Sequence, residues 1–257
     1  MSDKTRGKPA KKTVIINQCK INDFDAMIKE TLEAMDRVLK QREDDLTFWK
    51  EDEQKQNEFF QIFGSKGERV IQVDMPLRGK SNIVGMEAKD VMLDCIRRLK
   101  WIRSQLTPNS FINRIYDPDN PNDPTNSKLP RDPKAPRTFA AYVNSEQQSD
   151  FQINIGINFT GRINDKNMRV CSTVMGARGR VSTLVHELSH FEKNFTNPTL
   201  GGMGTLDYEA DGSKPLPNQD NSSYQGHLDG AALLVREKSE DVFNNSYNIE
   251  KYFEIEL

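Results

Sequence analysis

The stretch Ser182–Phe195, STLVHELSHFEKNF, holds two of the three histidines in this 257-residue chain. His186 and His190 are four residues apart, and Glu187 directly follows the first. On a helix, positions i and i+4 lie one turn apart on the same face, so both imidazoles can bind one Zn²⁺. Glu187 then projects beside the metal, where it can accept a proton from water. We therefore predict a helix over 179–194 that binds one zinc ion per chain.

An ordinary amphipathic helix that carries histidines by chance is the alternative, since the apolar residues between them would pack in either case. Ser182 and Thr183 near the start of the helix are expected to cap it, because hydroxyl side chains accept hydrogen bonds from free backbone N–H groups there. Asn197 and Pro198 are expected to end it, since the residue before a proline avoids helical backbone angles.

A zinc site of this kind needs a third protein ligand. A metzincin would continue H-E-x-x-H-x-x-G-x-x-H, but Lys193 and Thr196 stand at the last two of those positions. A thermolysin-like enzyme takes a glutamate, for which Glu209 is available. Asp207, in the glycine-rich GGMGTLDYEADG, and His227 are the other candidates. The glycines let the chain turn back toward the metal, and the residues alone leave the three candidates open.

TLVHELSHF and the later GTLD together resemble the deuterolysin, or aspzincin, family of zinc metalloendopeptidases, nearest to its lysine-specific branch. The resemblance covers about 19–234 and is carried mainly by 138–207. It implies that His186, His190 and Asp207 bind zinc and that Glu187 is the general base. It also implies that 151–159, which contains Ile153 and Ile155, is an edge strand that pairs with an extended substrate.

The chain departs from the family pattern at two places. Where the family has a tyrosine that stabilises the oxyanion, this chain has Ala210, so Tyr208 and Tyr224 become the candidates for that role. The lysine-specific relatives also line their specificity pocket with acidic residues. The nearest counterpart here is NQDNSSYQ, so cleavage before lysine is not expected. Its candidate substrate-binding residues are Asp220, Ser222 and Gln225.

Apolar spacing elsewhere indicates a largely helical chain. A 3.6-residue repeat predicts helices over 23–45, 46–60 and 83–106, with a shorter one over 228–238. RVIQVDMPLRG resembles a strand, although its proline weakens that interpretation. TFAAYV and FQINIGINF predict two strands of a hairpin. The expected fold is α+β: a mostly helical, zincin-like metalloprotease domain with a small antiparallel sheet beside the H-E-x-x-H helix.

The predicted organisation is one domain with two tails. Residues 1–16 form a basic, disordered tail, 17–240 the domain, and 241–257 a C-terminal tail. Within the domain we expect a helical part over 20–106, a loop over 107–137 with seven of the twelve prolines, and a catalytic part over 138–240.

Composition narrows the class of protein. The net charge of −2 gives no signal for nucleic acid, and no apolar run is long enough to span a membrane. Cys19, Cys95 and Cys171 lack the C-x-x-C spacing of a zinc ribbon and are expected to be free thiols. The first residues do not resemble a signal peptide. We therefore expect a protein that is cytoplasmic when made and is secreted by a leaderless route.

These patterns together predict a zinc endopeptidase that acts on a protein or peptide, such as a bacterial effector or toxin. Its further partners would be a secretion machinery or an immunity or inhibitor protein. The alternatives are a zinc-binding pseudopeptidase that serves as an interaction module, and a hydrolase of a non-protein amide.

Overall fold

A computed structural model describes residues 24–77, 80–117, 122, 126–127, 129, 139–144, 151–161, 170–194, 197, 199–216 and 222–257. They form an α+β fold, as predicted. The described helices are α1 (Phe24–Thr47), α2 (Glu53–Phe63), α3 (Ala88–Gln105), α4 (Arg180–His190), α5 (Tyr224–Arg236) and α6 (Ser246–Tyr252). The described strands are β1 (Val70–Asp74), β2 (Ile83–Glu87), β3 (Phe111–Asn113), β4 (Ala141–Val143) and β5 (Ile153–Ile155).

Buried apolar side chains from all six helices belong to one hydrophobic core. The helix α1 carries the predicted apolar stripe and packs on α3 and α4. The helices α2, α5 and α6 pack on one another. An aromatic cluster lies at that junction, where the rings of Phe63 and Phe243 stack 4.8 Å apart and Tyr252 packs against Phe63.

Three predicted helices differ from the structure at their starts. The helix α5 begins at Tyr224, four residues before the predicted start at 228. Residues 83–87 form the strand β2 instead of the first turn of α3, because they pair antiparallel with β1. The strand β1 ends before Pro76, which therefore removes no hydrogen bond from it. The helix α2 begins late, because the side chain of Asp52 caps it by accepting from the backbone N–H groups of residues 54 and 55. Gly64 ends α2 in a left-handed conformation.

The sheet beside α4 corrects two predictions. The hairpin of β4 and β5 is antiparallel as expected, but β3 pairs with β5 in parallel, so the sheet is mixed. The strand order β3-β5-β4 places β5 in the centre, and its interpretation as an edge strand for substrate is wrong. Ile153 and Ile155 are fully buried, so they cannot contact a substrate. The strand β4 lies at an edge and packs against α4.

The C-terminal segment is part of the core, and its interpretation as a tail over 241–257 is wrong. The helix α6 packs mainly against α4, with Ile249 and Phe253 completely buried. Its seven residues are too few for a clear helical repeat in the sequence. The predicted basic tail and most of the proline-rich loop lie outside the described residues, as does Cys19. Cys95 and Cys171 are buried, and neither forms a disulfide with another described residue, as expected.

None of the helices in the described part of the chain is long and apolar enough to cross a membrane.

A buried arginine ties the C-terminal helix to the rest of the fold. The Arg42 guanidinium in α1 donates to the Tyr252 carbonyl at the end of α6, at 2.6 Å. It also pairs with Asp45 at 3.0 Å and with Glu58 of α2 at 2.6 Å. Arg42 is 1% exposed, so these acceptors replace the water that it loses on folding.

We expect Arg42→Ala to lower the free energy of unfolding by about 3 kcal/mol, because the substitution removes the donor to the Tyr252 carbonyl and leaves the buried Asp45 carboxylate with the more exposed Lys55 as its cation. Urea denaturation followed by circular dichroism measures this change. Arg37→Ala, on the exposed face of the same helix, is the control and should change stability by less than about 0.5 kcal/mol. Equal effects of the two substitutions would contradict this role for Arg42.

Candidate metal centre

The helix α4 holds the two histidines in the interior of the protein. Arg180–Ser189 are all buried, since α1, α3, α6 and β4 surround the helix. The rings of His186 and His190 lie 4.9 Å apart on the same face. Glu187, between them in sequence, is 8% exposed. The i, i+4 spacing therefore places both imidazoles at one site, as the sequence predicted.

The ends of α4 differ from the prediction. Gly179 occupies the capping position, and the hydroxyls of Ser182 and Thr183 donate to its carbonyl instead of accepting from free N–H groups. The predicted capping role of these two residues is therefore wrong. The helix also ends at His190, before the predicted Asn194, because Phe191 has an extended backbone with ψ of 135°.

A tight return of the chain brings Asp207 back to the end of α4. The Gly202 N–H donates to the Glu192 carbonyl at 3.0 Å, and the Thr205 N–H to the Ser189 carbonyl at 3.1 Å. Gly201 has a φ of 81°, which side chains rarely adopt. A Cβ at Gly202 would lie 2.0 Å from the Phe191 carbonyl oxygen. The glycines before Asp207 therefore allow this turn, as the sequence analysis expected.

A second buried arginine holds the loop between α4 and Asp207 in place. The Arg98 guanidinium in α3 donates to the Leu200 carbonyl at 2.7 Å and to Asp94 at 2.7 Å. Arg98 is completely buried. The position of the loop thus depends on α3 as well as on the end of α4.

The Asp207 carboxylate lies close enough to both histidines to bind the same metal ion. One of its carboxylate oxygens is 3.3 Å from His186 Nε2 and 3.7 Å from His190 Nε2. In a tetrahedral zinc site with bonds of 2.0–2.1 Å, neighbouring ligand atoms lie about 3.3–3.4 Å apart. The three side chains form the one such His, Cys, Asp or Glu group found within the described part of the chain. All three donor atoms lie within 4.8 Å of one another, so the group could hold a metal ion such as zinc.

Hydrogen bonds hold the far nitrogen of each imidazole. His190 Nδ1 lies 2.9 Å from the Thr205 carbonyl oxygen, and His186 Nδ1 lies 2.9 Å from a carboxylate oxygen of Glu250. A carbonyl only accepts, so Nδ1 of His190 donates, and in the neutral ring the lone pair is on Nε2. Glu250 can orient His186 in the same way. This arrangement presents both Nε2 atoms to a metal.

The pKa values of the two histidines are shifted in opposite directions. Burial alone would lower the pKa of His186, but Asp207 and Glu250 outweigh it and raise that pKa to about 10. Burial lowers the pKa of His190, which faces only one carboxylate and lies beside His186. Although burial opposes it, the two imidazoles and Ser246 hold the pKa of Asp207 far below its usual range. Without a metal, the protonated His186 ring thus supplies positive charge that a bound cation would otherwise supply. A metal that binds His186 must displace this proton.

The helix α6 supplies partners to two of the three candidate ligands, and the sequence analysis missed all of them. Glu250 binds His186, and the Ser246 hydroxyl donates to Asp207. The Leu206 N–H also donates to the Asn244 carbonyl at 2.9 Å, which joins the ligand loop to the start of α6. The available signal was weak: Ser246 and Glu250 are four positions apart in SYNIEKY, a segment in which polar and apolar residues are mixed.

The other candidates for the third ligand have different partners. His227 Nδ1 lies 2.8 Å from the Tyr208 carbonyl oxygen, and its ring stacks on Tyr247 at 5.2 Å. The carboxylate of Glu209 accepts from the Ser222 hydroxyl. Neither belongs to the group formed by the two histidines and Asp207. Among the described residues, the geometry therefore favours Asp207.

The two tyrosines proposed as oxyanion donors have other partners among the described residues. Tyr208 is fully buried, and its hydroxyl donates to Asp241 at 2.7 Å. The prediction for Tyr208 is therefore wrong. Tyr224 packs against Tyr247, with ring centroids 6.1 Å apart. Tyr247, which the sequence analysis did not consider, has its ring 4.6 Å from that of His186.

The structure describes two of the three predicted specificity residues, and each has a local hydrogen-bond partner. Asp220 lies outside the described residues. The Ser222 hydroxyl accepts from the Ala210 N–H at 3.0 Å and so closes the loop before α5. Gln225 is exposed on the first turn of α5 and donates to Asp229 at 2.9 Å.

No protein-family model, curated protein or solved structure matches the chain. A function for this chain must therefore be argued from the geometry of its own residues.

We expect the protein to bind about one zinc ion per chain, and Asp207→Ala to bind almost none, because two histidines alone leave the site short of a ligand. Metal analysis after dialysis measures the zinc content. His227→Ala, which removes a nearby buried imidazole, should keep the ion. Loss of zinc from His227→Ala but not from Asp207→Ala would show that the ligand set is wrong.

We expect Glu250→Gln to weaken zinc binding about 10-fold, because the neutral amide polarises His186 less than the carboxylate does. Competition with a chromophoric chelator gives the affinity. Glu237→Gln, at the exposed end of α5, is the matched control and should bind zinc like the unchanged protein. An unaltered affinity in Glu250→Gln would rule out this role for α6.

Proposed function

We propose that this protein is a zinc-dependent endopeptidase of the aspzincin type. The observation that carries the proposal is the meeting of His186, His190 and Asp207 at one site, with Glu187 beside the first histidine. Three protein ligands leave a position open for water or substrate, as in catalytic zinc sites. A structural zinc site would have four protein ligands.

Zinc, when bound, supplies Lewis acidity that lowers the pKa of water and polarises a carbonyl. Glu187 acts as general base and accepts a proton from the attacking water. The same carboxyl then donates that proton to the departing amide nitrogen. Glu250 and the Thr205 carbonyl keep the two imidazoles oriented throughout.

The substrate would lie along β4, in extended form. This strand is at the edge of its sheet and packs against α4, so a peptide added there would run beside the metal centre. Addition of a strand to a sheet edge is a common way to bind an extended peptide. The support for this placement is the strand order, in which β4 takes the role that the sequence analysis had assigned to β5.

A zinc-binding pseudopeptidase is the second candidate. The observation in its favour is that Ala210 replaces the tyrosine of the family pattern, while the Tyr208 hydroxyl is bound by Asp241. Loss of one oxyanion donor typically lowers the rate about 10²–10³-fold, which weakens hydrolysis without abolishing it. A zinc-loaded protein that leaves casein and a peptide library intact would establish this alternative.

We expect Glu187→Gln to lower kcat/KM for peptide hydrolysis by about 10²–10⁴-fold while zinc stays bound, because the amide cannot accept the proton. The measurement is cleavage of a quenched fluorescent casein, with zinc content determined on the same samples. Glu192→Gln, exposed just after α4, should cleave normally. Full activity in Glu187→Gln would disprove the mechanism.

A further inference from the structure

A cavity of about 260 Å³ lies beside the candidate metal centre and opens to solvent. It is bounded by α5, α6 and the segment that leads into α4. Pockets for drug-sized ligands usually measure about 300–1,000 Å³, so this cavity has the size of a site for a single side chain.

Two residues connect the cavity to the metal centre. Glu250 lines the cavity, and its carboxylate also binds Nδ1 of His186 at 2.9 Å. Tyr247 lines it as well, and its ring lies 4.6 Å from that of His186. The cavity and the candidate ligand His186 are therefore separated by a single layer of side chains.

One part of the cavity wall is apolar and well supported. Tyr224 and Tyr247 line it, with ring centroids 6.1 Å apart, and Leu228 and Ala177 complete this apolar part. Tyr247 is backed by the buried ring of His227, which stacks on it at 5.2 Å. Aromatic walls of this kind favour aromatic and aliphatic partners.

The charged groups of the cavity offset one another. Glu254 accepts from the Lys251 ammonium at 2.7 Å and from the Arg178 N–H at 3.0 Å. Glu250 is bound to His186, and the side chain of Arg178 adds a second cation. Two carboxylates thus face two cations. A charged side chain would lose water on entry and find no net opposite charge there.

We propose that this cavity receives one side chain of the bound substrate and selects an aromatic or large aliphatic side chain over a charged one. The inference rests on the proposed peptidase function, because it assumes that a peptide lies beside the metal centre. It names Tyr224, Leu228 and Tyr247 as the residues that determine specificity.

The test measures binding separately from hydrolysis. The full chain with Glu187→Gln, loaded with zinc, is titrated into fluorescein-labelled alanine–serine peptides that differ only at one central residue. That residue is phenylalanine, leucine, lysine, glutamate or alanine, and fluorescence anisotropy gives the dissociation constants. Burial of the apolar side chain should make the phenylalanine and leucine peptides bind roughly 10–100-fold tighter than the alanine peptide. Lysine and glutamate should give no such gain.

Variants then assign the preference to the cavity. In the same background, Leu228→Trp fills the cavity and should abolish the preference for phenylalanine. Ala232→Trp adds the same side chain to the exposed face of α5 and should retain it. Ala177→Phe fills the cavity from the opposite wall and provides a second test if Leu228→Trp does not fold, which circular dichroism reveals.

The outcomes separate the two proposals. Equal binding of all five peptides, or a preference for lysine or glutamate, overturns the inference. A preference that survives both cavity-filling variants overturns it as well. Cleavage of casein by the unchanged protein without selectivity for these residues would contradict the specificity proposal but leave the peptidase standing. Selective binding without any cleavage would refute the peptidase and support the cavity's role.

Discussion

The arrangement of the candidate site depends on one buried imidazole. His186 lies on a helix surrounded by protein, and burial by itself disfavours its charged form. Two carboxylates offset this cost: Asp207 from the loop after α4 and Glu250 from α6. The fold must therefore bring three distant segments to the same ring. With a metal bound, Asp207 would be a ligand, and Glu250 would be the hydrogen-bond acceptor that orients the His186 ring.

Two buried arginines hold the segments that carry these carboxylates. Arg98 binds the carbonyl of Leu200 in the loop before Asp207, and Arg42 binds the carbonyl at the end of α6. Each guanidinium also has acidic partners, so its own burial is compensated. Because both arginines belong to helices of the N-terminal half, that half supports the site without contributing a ligand to it.

The sequence was most informative where spacing along the chain determines spacing in space. The i, i+4 histidines had to share a helix face once α4 formed, and the glycines before Asp207 indicated a turn. The role of β5 was misjudged because its apolar residues fit a central strand as well as an edge strand. Tyr208 was misjudged because nothing near it in sequence indicates that Asp241 takes its hydroxyl. The C-terminal helix was missed because seven residues give little periodic signal.

Local residue patterns predicted the α+β class, the long helices, and the pair of histidines with its glutamate at the candidate site. Local rules fix these features, since helical periodicity and the identity of donor atoms need no knowledge of the rest of the chain. Tertiary packing was needed to show that Asp207 joins the histidines instead of His227 or Glu209. The same holds for β4 as the edge strand beside α4 and for α6 as the helix that completes the candidate site. These outcomes depend on contacts between segments tens of residues apart, and such contacts follow from how the whole core packs.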